Sequence, residues 1–343
     1  MLRIVFSQTP ATDPHWRLNW EDNFTTFDNT KWVKEDNCGN EGQLYLHLAQ
    51  NVWVENGNLV MRLNNTQTYS PGNDYCHGGT YYYTSGSVKT RSPGPYDTQY
   101  GYIEARMKLP FRKEGNKVCG IVPSFWTYRS EIKPVENGGE IDIFEMFAYD
   151  YNAPNSLNTC IHTCYKSDKG KPDNPPEHYA ACNESYGMSH TLSNFDYTGW
   201  HTYALEWNYD RITWYIDNKA IRTIQNRGGN IYNPIIARPV KFIMGISVDS
   251  KNSPQRTPYF EEKMYVDYIR SYQLKCDKTT PVNEIANFNT YDYKVKKSIT
   301  LSGATTIPAN SNITLRATDF IELKPGFEVP TGRELYLDVS PCP

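Results

Sequence analysis

The chain of 343 residues has no apolar run near the roughly 18 residues that cross a bilayer, so no membrane span is expected. It has no long run of one charge either. Lys and Arg number 35 against 38 Asp and Glu, a formal net charge of −3, which argues against nucleic acid or an anionic membrane as the main partner. Helical periodicity is missing beyond about two turns anywhere in the chain. Among the eight cysteines there is no CxxC pair of the zinc type. Cys160 and Cys164 flank His162, a spacing that suggests a metal, but no second pair of ligands is spaced to match. An even cysteine count allows disulfides in an extracellular chain. Cys276–Cys342 and Cys164–Cys182 are two candidate pairings, and the connectivity itself is not readable. The opening MLRIVFSQTPAT holds an apolar patch too short for a signal peptide, so residues 1–15 read as a leader remnant or extension.

Aromatics are abundant: 27 Tyr, 13 Phe and 8 Trp. They suit strands, and their flat faces suit sugar rings or bases; the charge balance favours sugars. Short runs rich in Val, Ile, Tyr, Thr and Trp alternate with polar residues between Gly, Asn, Asp and Pro clusters. NVWVENGNLVMRLNN (51–65) predicts a hairpin turning at Asn56-Gly57-Asn58, and residues 201–221 predict another turning near Asn208-Tyr209-Asp210. Many strands at this spacing imply an all-β sandwich or barrel. A loop-rich insert over about 148–198 suits a binding loop. Composition shifts after Leu274. Residues 276–296 read as a linker, and 297–343 as a small β module built from SITLSG, NITLRA, FIELKPGF and ELYLDV.

The segment ENGGEIDIFEMF (136–147) places Glu140, Asp142 and Glu145 among apolar residues. Carboxylates in such surroundings are costly unless paired or working. Strand residues alternate faces, so Glu140 and Asp142 share one and Glu145 should face the other. A β-bulge between Asp142 and Glu145 resets the parity and brings all three to one side. Ile141 and at least one of Ile143 and Phe144 then face the core. Acids crowded on one face push their pKa values apart, which suits glycoside cleavage by one ionised and one protonated carboxyl. The competing reading is an acidic, solvated strand face.

GGEIDIFEMF resembles the bulged E-x-D-x-x-E active-site strand of glycoside hydrolase family 16. WEDNF (20–24), NEGQLYL (40–46), NVWVENGNLVMRL (51–63), YTSGSVKTRS (83–92), YGYIEARMKLP (100–110), VPSFW (122–126), WHTYALEWNYDRITWYIDN (200–218) and MYVDYIRSYQL (264–274) follow in that family's order. The resemblance covers about 16–274 and delimits a catalytic domain at 16–275. It implies a β-jelly-roll sandwich of two curved antiparallel sheets with a concave substrate cleft. It also implies retaining endo-hydrolysis of a β-linked polysaccharide by double displacement, with no cofactor in catalysis. By position, Glu140 is the nucleophile, Asp142 the assisting acid and Glu145 the acid/base. Trp126, His162, Asn51 and Arg91 match substrate-side positions, although Trp126 and His162 also have structural readings. Trp207 and Trp214 are assigned to packing. Some members hold a structural calcium, whose matching positions are Asn23, Gly57 and Asp267; Asn23 replaces the usual acid. The C-terminal module resembles short β-repeat modules of secreted Bacteroidetes enzymes and is read as a spacer or folding aid.

Laminarinases, which cut β-1,3-glucan, give the nearest overall look, but three departures fall on the substrate side. Val122 stands for the first Trp of W-P-x-F-W, Ser87 for the Arg of SGR, and Gly245 to Ser250 for N-x-A-V-G-G. The expected substrate is β-1,3- or mixed-linkage β-1,3/1,4-glucan, with a marine galactan (agar, porphyran or carrageenan) as the alternative. Lys89, Arg91, Arg129 and Lys133 would suit a sulfated galactan. A non-catalytic glycan-binding sandwich is the reading from another class, and a transglycosylase would use the same acids. A secreted monomer acting outside the cell is expected, because a polymer-cutting enzyme must meet its substrate there.

Overall fold

The computed structural model describes residues 16–38, 44–72, 77–111, 113–114, 117–118, 120–129, 140–146, 156–163, 184–185, 187–192, 195–196, 198–207, 211–225, 239–249, 253–274, 279–282, 290–293, 298–303, 312–317, 320–332 and 334–339. The expected leader, most of the 148–198 insert, Lys133, the turn at 208–210 and the two candidate cysteine pairings lie outside them. Of the cysteines among the described residues, Cys38 is disulfide-bonded and Cys160 is a free, buried thiol. No helix among the described residues is long and apolar enough to cross a membrane.

Two large sheets, of 11 and 8 strands, form the sandwich expected for a jelly roll. The eight-stranded sheet runs in the order Glu184–Ser185, Ser156–Thr163, Glu140–Glu145, Ile121–Arg129, Val240–Val248, Ser87–Thr90 and Trp32–Lys34, with Met188–Thr191 also paired to Ser156–Thr163. Alternation decides which side chains go inside. Phe125, Ile141, Phe144, Phe242, Met244 and Ile246 of this sheet join Leu59, Met61, Ile103, Met107, Tyr203 and Trp214 of the other in one buried cluster. The Phe144 and Tyr203 rings meet across the interface at 4.4 Å. Trp214 Nε1 donates to the Asp142 carbonyl at 2.9 Å, so one sheet anchors the backbone of the other's acidic strand.

Two glycines serve the fold through backbone demands. Val52–Glu55 and Asn58–Asn64 form the first expected hairpin, turning through Asn56 (φ 51°) and Gly57 (φ 73°). Two consecutive positive φ values match the twist of antiparallel strands. Gly86 faces the chain at Asn51, where an added Cβ would lie 2.4 Å from the Asn51 carbonyl oxygen.

The expected linker contributes structure. Thr279–Val282 and Thr290–Tyr293 open two parallel three-stranded ladders, continued by Ser298–Leu301 and Phe320–Leu323 in one and by Asn312–Ala317 and Glu334–Val339 in the other. Strands alternate between the ladders, and the register partners Thr290, Asn312 and Glu334 stand 22 residues apart. This is the arrangement of a short coil rather than of hairpins. Periodicity is too brief within 276–296 to mark it, because each coil strand pairs with one 19 to 22 residues away.

Phe144 tests the sandwich. It is fully buried against Tyr203 beside the bulged segment. Phe144→Ala is expected to cost about 3–5 kcal/mol, read as a lower denaturant midpoint. An unchanged midpoint would contradict the packing described.

Candidate active site

The acidic strand pairs on both sides, and both partners show the same irregularity. Against Ser156–Thr163, Glu140 faces His162, Asp142 faces Cys160 and Glu145 faces Asn158. Three steps along the acidic strand match two on its neighbour. Against Ile121–Arg129, Asp142 faces Trp126 and Glu145 faces Ser124, again three steps to two. The extra residue is the bulge that the parity argument required, and it turns Glu145 to the side of Glu140 and Asp142. Ile141, Ile143 and Phe144 all go into the core. The Ile141 amide donates to Thr127 Oγ1 at 2.9 Å beside the register shift.

The three carboxyls are poorly solvated. Burial, then the charge on Asp142, push Glu140 up to about 7, with His162 opposing. Burial, then the charges on Asp142 and Glu140, push Glu145 up to about 8. Asp142 is 1% exposed and is raised by burial against the pull of His162. His162 Nε2 lies 3.2 Å from Asp142 Oδ2 and 3.7 Å from Glu140 Oε1. The contact with Asp142, then that with Cys160, raise His162 to about 11 despite burial. An imidazolium thus faces two of the acids, while Glu145 holds its proton more strongly than Glu140. One group able to attack and one able to donate a proton stand on one face of one strand.

Trp126, opposite Asp142, is half-buried and meets the Tyr128 ring edge-on at 5.9 Å. Lys241 lies 5.8 Å from the Tyr128 ring. Tyr128 and Lys241 escaped the sequence reading, although their strand parity with Trp126 and with its partner Ile243 would have found them. Ser87 and Lys89, on one face of their strand, converge on Glu35: Ser87 Oγ donates to Oε2 at 2.7 Å and Lys89 Nζ lies 3.2 Å from Oε1. A Lys–Glu–Ser cluster therefore stands where the resemblance calls for an arginine.

Two expected substrate residues are engaged by protein groups. Asn51 is fully buried; its Oδ1 accepts from Arg62 Nε and Nη2 at 2.9 and 2.7 Å, and its Nδ2 donates to the Ser85 carbonyl at 3.3 Å. Its side chain is held by Arg62 and the Ser85 carbonyl. Arg91 is exposed and donates through Nε and Nη2 to the Asn29 carbonyl. It follows Ser87–Thr90, three strands from the acids. Trp207 and Trp214 are buried, as their assignment to packing required. The register brings Asn23, Gly57 and Asp267 to one corner of the 11-stranded sheet. Asp267 is the single carboxylate of that set and pairs with Arg106 Nη1. No uncommitted anionic ligand is left there for calcium, so the set does not fit the ion.

The model of glycosyl hydrolases family 16 matches residues 39–270. The chain belongs to that family. This family-16 chain is 27% identical over 292 residues to glucan endo-1,3-beta-glucosidase A1 of Niallia circulans, covering 76% of this chain and 39% of that protein. It is 29% identical over 272 residues to a beta-glucanase of Acetivibrio thermocellus, covering 77% and 66%. The laminarinase catalytic domain of Thermotoga maritima superposes with a TM-score of 0.55 at 27% identity, covering 75% of this chain and 98% of that one. The chain thus spans well under half the length of the first relative and about two thirds of the second.

The raised carboxyl of Glu145 has a consequence for stability. It titrates at about 8 folded against 4.5 in its unperturbed state, so the folded chain binds more protons. That contribution is complete below 4.5 and is lost as pH rises through about 8. Glu145→Gln removes the loss. The melting temperature of the variant relative to the parent is expected to be higher at pH 9 than at pH 4; a pH-independent difference would exclude a buried, raised carboxyl.

Proposed function

We propose that this family-16 chain is a retaining endo-β-glycosidase that cuts β-1,3- or mixed-linkage β-1,3/1,4-glucan outside the cell, as a monomer. The observation that carries the reading is the bulge, which puts buried Asp142 and half-buried Glu140 and Glu145 on one side of the strand, the last two with raised and unequal proton affinity. Glu140, ionised, attacks the anomeric carbon, while Glu145 gives its proton to the glycosidic oxygen and releases the leaving chain. A glycosyl–Glu140 ester forms. Glu145, now ionised, takes a proton from water, and the water oxygen opens the ester with a second inversion. Asp142 lies between the two and spreads the charge through His162. Trp126 offers a ring for stacking on a sugar beside the break, a contact worth roughly 0.5–1.5 kcal/mol beyond its area. No cofactor enters these steps.

The glucan choice is supported by the names of the two curated relatives and of the solved laminarinase domain. Lys89 would suit a sulfated galactan, but its ammonium is paired with Glu35. Three repelling carboxyls disfavour a pure binding module, which gains nothing from them.

The proposal predicts a bell-shaped dependence of kcat/KM on pH. Activity rises as Glu140 ionises near 7 and falls as Glu145 loses its proton near 8. The limbs belong to the interacting set rather than to single residues. New reducing ends are expected from laminarin or mixed-linkage glucan, released as mid-length fragments with the anomeric configuration retained. Glu140→Gln should abolish release, and Glu145→Gln should lower kcat by about 10²–10⁴-fold. Release from agarose, porphyran or κ-carrageenan alone would overturn the glucan assignment. Silence on every polymer with an intact fold would overturn catalysis.

A further inference from the structure

We propose that Asp142, Cys160 and His162 form a binding site for one borderline-soft divalent cation of the zinc class, and that the bound ion closes the catalytic cleft. Cys160 is the register partner of Asp142 on the neighbouring strand, and His162 is the partner of Glu140. Their spacing of two puts both side chains on the face of the acids. One donor atom from each of the three residues lies within 4.8 Å of the others, the one such cluster of His, Cys, Asp and Glu found among the described residues. His162 Nε2 and Asp142 Oδ2 are already 3.2 Å apart. Tetrahedral zinc, with bonds of about 2.0–2.3 Å, separates its donors by roughly 3.3–3.8 Å. Side-chain rotation closes the remaining gap, and binding releases the imidazolium proton of His162 and the thiol proton of Cys160 to solvent.

The state of Asp142 points independently to a cation. Its side chain is 1% exposed, and neither carboxylate oxygen makes a contact that meets hydrogen-bond geometry. His162, 3.2 Å from Oδ2, offsets part of the cost of burying this carboxylate, and a coordinated cation offsets more of it. The donor set then selects the ion. A thiol, an imidazole and one carboxylate suit zinc or cadmium, whereas calcium and magnesium require oxygen. Cys160 is a free thiol and so has no competing disulfide. The C-x-H-x-C spacing at 160–164 hinted at metal, and among the described residues the third ligand, Asp142, comes from the adjacent strand. Three protein ligands leave the fourth position to water, beside the half-exposed imidazole. An ion there occupies the floor between Glu140 and Glu145, where the reacting sugar must sit. This blocking claim rests on the catalytic reading above; the binding claim does not.

Titration calorimetry of the full chain with Zn²⁺, and the ultraviolet thiolate band with Cd²⁺, test binding without any substrate. One equivalent is expected to bind, with affinity lower by at least about tenfold in Cys160→Ala, the usual loss for a removed ligand being no smaller than that for an outer-shell partner. Cys160→Ser, nearly the same size, serves if the alanine variant fails to fold. Equal affinity in the variant, or no binding in the parent, overturns the site. In the second arm, glycan cleavage by the parent should be inhibited by Zn²⁺ and restored by a chelator. The variant, compared with its own chelator-treated rate, should need at least about tenfold more metal, in proportion to its weaker binding. Binding without inhibition overturns the blocking. A parent that cleaves no glycan would fail the catalytic reading while leaving the calorimetry decisive for the metal.

Discussion

The register shift between Asp142 and Glu145 is the constraint on which the rest of the molecule turns. A regular strand would drive Glu145 into a core already filled by Ile141, Phe144 and Tyr203. One extra residue, matched on both neighbouring strands, instead sends three carboxyls outward and three apolar side chains inward. The distortion is held from behind. Trp214 grips the Asp142 carbonyl, and Thr127 takes the Ile141 amide. The bulge therefore belongs to the packing of the sandwich as much as to the cleft.

Electrostatics follow from that placement. Acids that share a face and little water cannot all ionise together, and burial is the leading cause of the rise at each of the three. His162 supplies the countercharge from the adjacent strand and lies nearer to Asp142 than to Glu140. The same closeness gathers the imidazole, the thiol of Cys160 and the buried carboxylate into a set of donors able to hold a cation. The proposed cation would therefore share a strand face with the three acids.

The substrate side shows how a family scaffold is altered locally. Gly86 is retained because the Asn51 carbonyl leaves no room for a side chain. The following residue is Ser87, and its hydroxyl joins Lys89 on Glu35. Positive charge remains in that region, but it is held by an acid instead of projecting as a free guanidinium.

Much of this was legible in the linear chain. Period-two alternation, turn residues such as Asn56-Gly57 and the parity conflict at Glu145 gave the all-β class, the first hairpin and the bulge, because each is a local rule acting over a few residues. Contacts between residues distant in sequence were decided only on folding. Asn51 reads as a polar candidate beside a strand, yet Arg62 and Ser85 close around it and remove it from the surface. Arg91 has the right charge, but a carbonyl on a neighbouring turn takes it. The strands at 279–282 and 290–293 exist through partners 19 and 22 residues away, beyond the reach of local pattern. The pairing of Cys160 with Asp142 likewise arose from the register between two strands. Which residues form strands was set by local chemistry; which of them share water, protons or a cation was set by how the sheets came together.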